Sequence, residues 1–334
     1  MNYVIFGYGS IGKEYLKIIK KNKYQFIYVV DINFTKIKVF KNVIYLNFET
    51  FKINSYNVSH VFICTPSSDH FEIAKYFLNK KISVLIEKPF VLKYSQAKKL
   101  ISYAKKNNTK CWVCFQNRFN KSIILAKKML LKKDIGEIKF INSSLFWNRD
   151  FDYYNNGWRG KYASDGGVLT NQSIHLIDMI EYLFGKITKF NGVLFFDKLK
   201  LEAEDLISLN MMNDTNLPIS FNATTRADKD HEMSIDIYGS KGMIKIAGIA
   251  LNKIYVNNKL IKNSSENFKT GFGVHHQDVI NSFINYNNDE NFLNIKYNLN
   301  VIKLINSVYN KLINQKYYHK LLPSDSLLGK KNEN

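Results

Sequence analysis

Two residues in this chain have types and positions suited to moving a proton. Lys88 lies in Glu87-Lys88-Pro89, straight after the apolar run 82–86. A lysine at a strand tip can bond a hydroxyl oxygen, and burial there lowers its pKa. The following proline limits the direction of its backbone. His175 lies in DGGVLTNQSIHLID, 165–178, with Asn171 four residues before it. On a helix those two share one face. An imidazole titrates near neutrality, so it can take the proton an alcohol gives up as its hydride leaves. A nearby Lys88 ammonium would push the ring's pKa down and keep it neutral. Asn171 cannot stabilise an imidazolium as a carboxylate would. Its amide can donate and accept hydrogen bonds, so it reads as a holder of a substrate hydroxyl. Asp178 could orient the ring but reads more readily as structure. No set of further His, Cys or carboxylates at ligand spacing accompanies His175, so no metal is expected.

The N-terminus supplies what such chemistry needs. Residues 7–12 read GYGSIG, directly after the apolar run 2–6 and opening a helix-like segment. Gly7 permits a tight turn, Gly9 lets a pyrophosphate approach the backbone, and Gly12 lets helix and strand pack closely. Tyr8, Ser10 and Ile11 complete the loop. Asp31, followed by Ile32, ends the second strand-like run, where a carboxylate accepts bonds from ribose hydroxyls and repels a 2′-phosphate. The pattern points to a dinucleotide, NAD rather than NADP, although a methyltransferase can look similar. Ligands of α/β sheets bind at the carboxyl ends of strands. Thr65-Pro66 ends the fourth expected strand and is placed beside the nicotinamide ribose. Glu87 and Lys88 end the fifth.

Composition narrows the partners. Lys and Arg number 48 against 28 Asp and Glu, a formal charge of +20. Only four of the 48 are Arg, the residue whose planar fork grips phosphate and guanine. The charge therefore reads as solvated lysine faces, not a nucleic-acid surface. Cys111 and Cys114 form a CxxC inside an apolar run and read as buried thiols. No apolar run nears the roughly 20 residues needed to span a bilayer. The chain opens directly on a strand-like run, leaving no room for a signal peptide, and a reducing cytoplasm is expected.

Residues 1–118 alternate short β-rich runs (2–6, 25–30, 60–64, 82–86, 111–115, and a weaker 43–46) with helix-like segments at 11–21, 68–80 and 94–107. That pattern predicts a doubly wound parallel sheet. Residues 119–326 begin with a helix near 120–133. Alternating strands follow at 137–147, 188–197, 204–212, 217–225, 232–239, 242–247 and 251–256, interrupted by the His175 helix. Helices near 275–287 and 296–314 close the segment. It reads as an α+β domain on a large open, mostly antiparallel sheet. Residues 327–334 read as a disordered tail. The class is α/β overall.

GYGSIG, Asp31, Glu87-Lys88-Pro89 and GGVLTNQSIHLID together resemble the glucose–fructose oxidoreductase/inositol dehydrogenase (Gfo/Idh/MocA) family over nearly the whole chain. The resemblance implies a Rossmann domain, then a substrate-binding and oligomerisation domain. It implies NAD- or NADP-dependent oxidation or reduction of sugars, cyclitols or nucleotide sugars without a metal, in homodimers or homotetramers joined through the open sheet. It makes Lys88 and His175 the catalytic pair. It makes Trp158-Arg159 a pair reaching the cofactor, and it places Gln116 and Arg118 along the nicotinamide and substrate pocket. His70 falls at a recurrent position at a helix start, where structure is the stronger reading. His276, after a glycine–histidine turn, becomes a substrate contact. Asn171 departs from the inositol dehydrogenase pattern, which has Asp there, and resembles members that oxidise nucleotide-linked amino-sugar uronates. The aromatic-rich stretch 146–158 fits a sugar site or a surface loop equally.

The resulting expectation is an NAD-dependent dehydrogenase of a sugar or nucleotide-sugar secondary alcohol, possible in surface polysaccharide synthesis. Its rivals are a cyclitol dehydrogenase, an NADPH-using keto or imine reductase, and a non-catalytic NAD-binding sensor. The sensor would have no use for Lys88 and His175 together.

Overall fold

The structure is a computed structural model. It describes residues 1–53, 56–155, 157–196, 201–263, 275–285, 292–314 and 316–318. The expected tail at 327–334 lies outside the described residues.

Among the described residues, the N-terminal part forms a seven-stranded sheet. Its strands are β1 (Asn2–Phe6), β2 (Phe26–Val30), β3 (Lys38–Phe40), β4 (Val43–Leu46), β5 (His60–Ile63), β6 (Ser83–Ile86) and β7 (Cys111–Val113). The spatial order is β3-β4-β2-β1-β5-β6-β7. Every pairing is parallel except β3 with β4. Helices α1 (Ser10–Ile19), α2 (Phe48–Ile53), α3 (His70–Asn79) and α4 (Tyr94–Asn107) make the connections. β1, β2, β5 and β6 are buried at nearly every position, as a sheet covered on both faces requires. The order reverses between β1 and β5, which opens a crevice at their carboxyl ends. The short edge strand β3 has no counterpart in the sequence pattern. All three of its residues are exposed, so burial imposed no apolar alternation on them.

Among the described residues the second sheet has nine strands: β8 (Ile138–Phe146), β9 (Ile187–Phe196), β10 (Leu206–Asn213), β11 (Pro218–Thr224), β12 (Met233–Gly239), β13 (Gly242–Gly248), β14 (Lys253–Val256), β15 (Lys259–Asn263) and β16 (Lys316–Tyr318). Their order is β15-β14-β13-β12-β8-β11-β10-β9-β16. Only β8–β11 and β9–β16 run parallel. The expected open, mostly antiparallel sheet is present, and β15 and β16 extend it beyond the strands legible in the sequence. The helices of this half are α5 (Lys121–Leu131), α6 (Phe151–Tyr154), α7 (Ile174–Phe184), α8 (His276–Asn285) and α9 (Leu299–Leu312).

The chain does not stay in its second half once it has entered it. α8 packs on α1, and its Phe283 lies against His60, Phe62 and Trp112 of the first sheet. Val113 N donates to Leu293 O at 2.9 Å, continuing the first sheet's edge. This return brings His276, at the start of α8, to the crevice side of the first sheet.

Candidate active site

The glycine turn is built by close backbone approach. Gly7 has φ +89°, and a Cβ there would sit 2.6 Å from Cys64 O. A Cβ on Gly12 would come 2.0 Å from Gly7 O, so the helix could not reach the strand. At Gly9 a Cβ would meet nothing within 4 Å, which is the open face a pyrophosphate needs. Gly9 is also the N-cap of α1 and supplies no side-chain cap, leaving the first amides for a ligand. Asp31 is held at the neighbouring strand tip. Its Oδ2 accepts from Tyr8 N at 2.7 Å, and its Oδ1 from Asn33 N at 2.9 Å and Asn33 Nδ2 at 2.8 Å. Ile32 beside it is 90% exposed. Along the same strand tips, Thr65 Oγ1 and Gln116 Oε1 are buried without a hydrogen-bond partner. A bound dinucleotide's ribose and amide groups would satisfy such atoms. The residues present therefore fit NAD.

Lys88 follows β6, and its Nζ donates to Asn171 O at 2.9 Å and to Asn171 Oδ1 at 3.3 Å. Those bonds tie the tip of the first sheet to the turn that opens α7. Burial is the main force lowering the Lys88 pKa; the Glu87 and Asp165 charges oppose it. His175 stands in the first turn of α7, 9% exposed, with Nδ1 buried and unpartnered. Its pKa is pushed well below the ordinary imidazole value, by burial first, then by Lys88 and His276. The ring is neutral at neutral pH, as expected, but desolvation is the larger cause and the Lys88 charge the smaller.

The sequence reading missed Asp165. It is 2% exposed, and its carboxylate accepts from Asn171 Nδ2 and from Gly160 N, the latter at 3.1 Å. Burial pushes it up to about 6, against the pull of Gly160 N, Lys88, Arg159 and Asn171. The signal was available: Asp165 opens the same stretch that holds Asn171 and His175. A carboxylate is therefore present here, bonded to the Asn171 amide and not at position 171.

Other expected residues fall into three groups. Trp158 and Arg159 lie in the loop before Asp165. The Arg159 guanidinium stacks 4.0 Å from the Tyr153 ring centroid and weighs electrostatically on Lys88 and Asp165. Tyr153 also receives a bond from Gln172 Nε2 at 3.2 Å, which ties the aromatic stretch to the turn before α7.

Glu87 and His276 meet each other. Tyr15 Oη donates to Glu87 Oε1 at 2.6 Å, and His276 Nε2 lies 3.6 Å from that oxygen. Both were expected at the ligand surface; their side chains instead face the interior behind Lys88. Glu87, Cys114 and His276 bring potential ligand atoms within 4.8 Å of one another. Tyr15 already occupies Glu87, however, and burial raises the Cys114 thiol well above its ordinary value. The cluster is a hydrogen-bonded core beneath the amine.

His70 and Arg118 are structural. His70 bridges two strand tips, Nδ1 to Pro89 O and Nε2 to Thr65 O, both 2.9 Å. Arg118, which the sequence reading placed along the nicotinamide and substrate pocket, has its guanidinium engaged by protein groups. Its guanidinium pairs with Asp178 and Asn298 and donates to Phe292 O at 2.7 Å. It borders a separate hollow of about 350 Å³ with Glu181 and Tyr182. The physical reason is charge: Asp178 is fully buried in α7, and the Arg118 guanidinium compensates it.

Residues 1–115 match the model of the oxidoreductase family with an NAD-binding Rossmann fold, and residues 123–245 match the GFO/IDH/MocA C-terminal domain. The oxidoreductase YhhX of Escherichia coli K12, uncharacterised, is 33% identical over 135 residues, 40% of this chain and 37% of that protein. Inositol 2-dehydrogenase of Rhizobium meliloti is 24% identical over 199 residues, 56% of this chain and 57% of that one. The chain thus spans little more than a third of YhhX and just over half of the inositol enzyme. Two solved structures share the fold. The WlbA dehydrogenase of Chromobacterium violaceum, with NADH and UDP-GlcNAcA, has a TM-score of 0.82 at 24% identity, covering 95% of this chain and 94% of that one. Its counterpart from Bordetella pertussis has 0.80 at 22%, covering 94% and 96%. Both halves of the chain match consecutive models of one family, on the fold that its glycine turn and open sheet build: this protein belongs to the Gfo/Idh/MocA oxidoreductases.

Proposed function

We propose that the protein is an NAD-dependent dehydrogenase that oxidises a secondary alcohol of a sugar or nucleotide sugar. The observation that carries the reading is the seam between the two halves. There the Lys88 amine is anchored on Asn171, one helical turn from a buried, neutral His175 whose Nδ1 has no partner. Bound NAD would supply the acceptor for the hydride. The Gly7–Gly12 turn would hold its pyrophosphate, and Asp31 its adenosine ribose. Lys88 holds and polarises the substrate oxygen, and His175 accepts the hydroxyl proton at a ring nitrogen. Asn171, bonded to Asp165 and Lys88, offers its second amide N–H to a neighbouring hydroxyl. Trp158 and Arg159, on the loop that Asp165 holds through Gly160 N, would help exclude water. WlbA carries UDP-GlcNAcA on this fold, and position 171 has an amide, which the family resemblance associates with uronate oxidisers. We therefore favour a nucleotide-linked amino-sugar uronate, in cell-surface polysaccharide synthesis in the cytoplasm. Among the described residues no helix is long and apolar enough to cross a membrane.

The test is absorbance growth at 340 nm with NAD and a panel of nucleotide sugars that includes UDP-GlcNAcA. Tight NAD binding with no turnover across the panel would favour a sensor instead. We also propose a homodimer or homotetramer through the second sheet, where Phe140, Phe146 and Tyr238 are exposed, the rings of Phe140 and Tyr238 6.1 Å apart. Sedimentation at a single monomer mass would remove that part.

Two further results are expected. Asp31→Ser removes the carboxylate from the expected ribose position, so the Kd for NADH rises about tenfold. Fluorescence titration reads it, and an unchanged Kd would place the ribose elsewhere. For pH, a proton acceptor works only while neutral, and the His175 pKa is lowered, so the acid limb of kcat/KM lies below about 6.5, the free imidazole value. Lys88 must keep its proton to polarise the oxygen, and its pKa is lowered too, so the alkaline limb lies below about 10.4. An acid limb at or above the free imidazole value would contradict a neutral buried His175.

A further inference from the structure

Asp165 has no role in the chemistry described so far, yet it is a buried carboxylate bonded to the residue that anchors the reactive amine, and its charge acts on that amine. Its carboxylate takes two bonds. Gly160 N, at 3.1 Å, belongs to the loop of Trp158 and Arg159, and Asn171 Nδ2 belongs to the turn that opens α7. The Asn171 amide can donate only from nitrogen and accept only at oxygen. With the nitrogen committed to Asp165, the oxygen is turned to Lys88 Nζ, 3.3 Å away. The backbone oxygen of the same residue adds the second bond to Lys88, at 2.9 Å.

We propose that Asp165 is the positioning residue of this site: through the Asn171 amide it fixes where the Lys88 amine points and keeps that amine charged, while the same carboxylate pins the Trp158–Arg159 loop. The proposal rests on the dehydrogenase reading for its kinetic consequence but not for its structural one. The groups facing the carboxylate come from every element around it. Lys88 reaches it from β6, Arg159 and Gly160 N from the loop, Asn171 from the turn before α7, and the Tyr154 phenol from α6. Among those groups only Lys88 and Arg159 carry positive charge, so the carboxylate's field falls on the amine and the loop. The acid's ionisation lies near pH 6, which puts loss of this arrangement on the acid side of neutrality.

The test uses the full chain and needs no substrate. Trace acetic anhydride labels each lysine in proportion to its unprotonated amine, and mass spectrometry reads Lys88 across pH. In Asp165→Asn the negative neighbour is gone. The Lys88 midpoint is expected to fall by about one pH unit while exposed lysines such as Lys20 do not move. The swapped pair Asp165→Asn/Asn171→Asp keeps total charge and volume, and it serves even if the single variant does not fold. There the carboxylate meets Lys88 directly, and the midpoint rises above that of the unaltered chain. A Lys88 midpoint unmoved in the single variant, or at or below the original in the swap, overturns the proposal. With UDP-GlcNAcA and NAD as the probe, Asp165→Asn also lowers kcat about 10- to 100-fold at unchanged KM for NAD, because the amine is misplaced and not lost. In that variant any contribution of Asp165 near pH 6 is gone and only the lower acid limb set by His175 remains. Silence across the whole nucleotide-sugar panel in the unaltered chain sinks the dehydrogenase reading, yet leaves the lysine labelling fully readable.

Discussion

His175→Ala lowers kcat for alcohol oxidation by about 10²- to 10⁴-fold, the range a positioned general base supplies. Lys88→Ala falls in the same range, because the oxygen loses its polarising partner and Asn171 loses its anchor. The KM for NAD and the fluorescence titration with NADH stay close to the original in both variants. Neither side chain belongs to the glycine turn or the ribose position. Lys88→Arg does not rescue, since a planar guanidinium cannot fill the site of a point-like ammonium bonded to two oxygens of one residue. The double variant loses far less than the product of the two single losses, because the pair acts as one unit. Stopped-flow mixing with NAD and the best nucleotide sugar separates chemistry from product release. A His175→Ala enzyme that keeps its full single-turnover rate would remove the ring from the reaction.

Arg118→Met is the largest expected stability loss. The change leaves the Asp178 carboxylate buried without its guanidinium, at about 3–5 kcal/mol. The sign of the pH dependence follows from burial. In the intact protein burial raises the Asp178 pKa and the guanidinium pulls it back down. Without Arg118 only the raising influence remains, so the folded carboxyl holds its proton to higher pH than the unfolded one. Stability from that proton is present at low pH and is lost as pH rises through the folded value. The variant is therefore more destabilised at pH 8 than at pH 5. Chemical denaturation at both pH values measures the difference. Arg118→Met/Asp178→Leu, which removes both charges, recovers most of the loss. NADH binding stays unchanged in the folded fraction, because Arg118 faces α7 and α9 and not the nucleotide turn. Equal destabilisation at the two pH values would mean that Asp178 is not the group left uncompensated.

Lys88, His175, Asn171 and the glycine turn were legible because each announces itself within a few residues. GYGSIG follows a strand and opens a helix, and both halves of that statement are local. Lys88 sits at the end of a buried strand whose apolar run marks its own boundary. The strands of the second sheet were legible for the same reason, since a half-buried strand alternates visibly; β10 shows the pattern in its burial. The edge strand β3 was not, because its exposed residues carry no such alternation.

The partners of these residues were not legible. Arg118 and Asp178 are 60 residues apart, and Lys88 and Asn171 are 83 apart. Nothing in either local pattern says which buried charge a guanidinium will meet. Arg118 was thus read as a pocket residue when packing had committed it to α7. Glu87 and His276 were read as ligand contacts. The return of α8 to the first sheet made them neighbours of Tyr15 instead.

By itself the sequence determined the two-sheet architecture, the glycine turn after the first strand, a carboxylate at the second strand's tip, and the places of Lys88 after a strand and His175 on a helix. Those follow from side-chain period, turn chemistry and residue type, which act over one or two elements. Only the tertiary structure decided that the carboxylate of this site is Asp165 and that it acts through an amide. It also decided that burial, more than the neighbouring ammonium, keeps His175 neutral. Desolvation and hydrogen-bond partnership depend on what the chain brings from tens of residues away, and they exist only once the two sheets and the returning helices have packed.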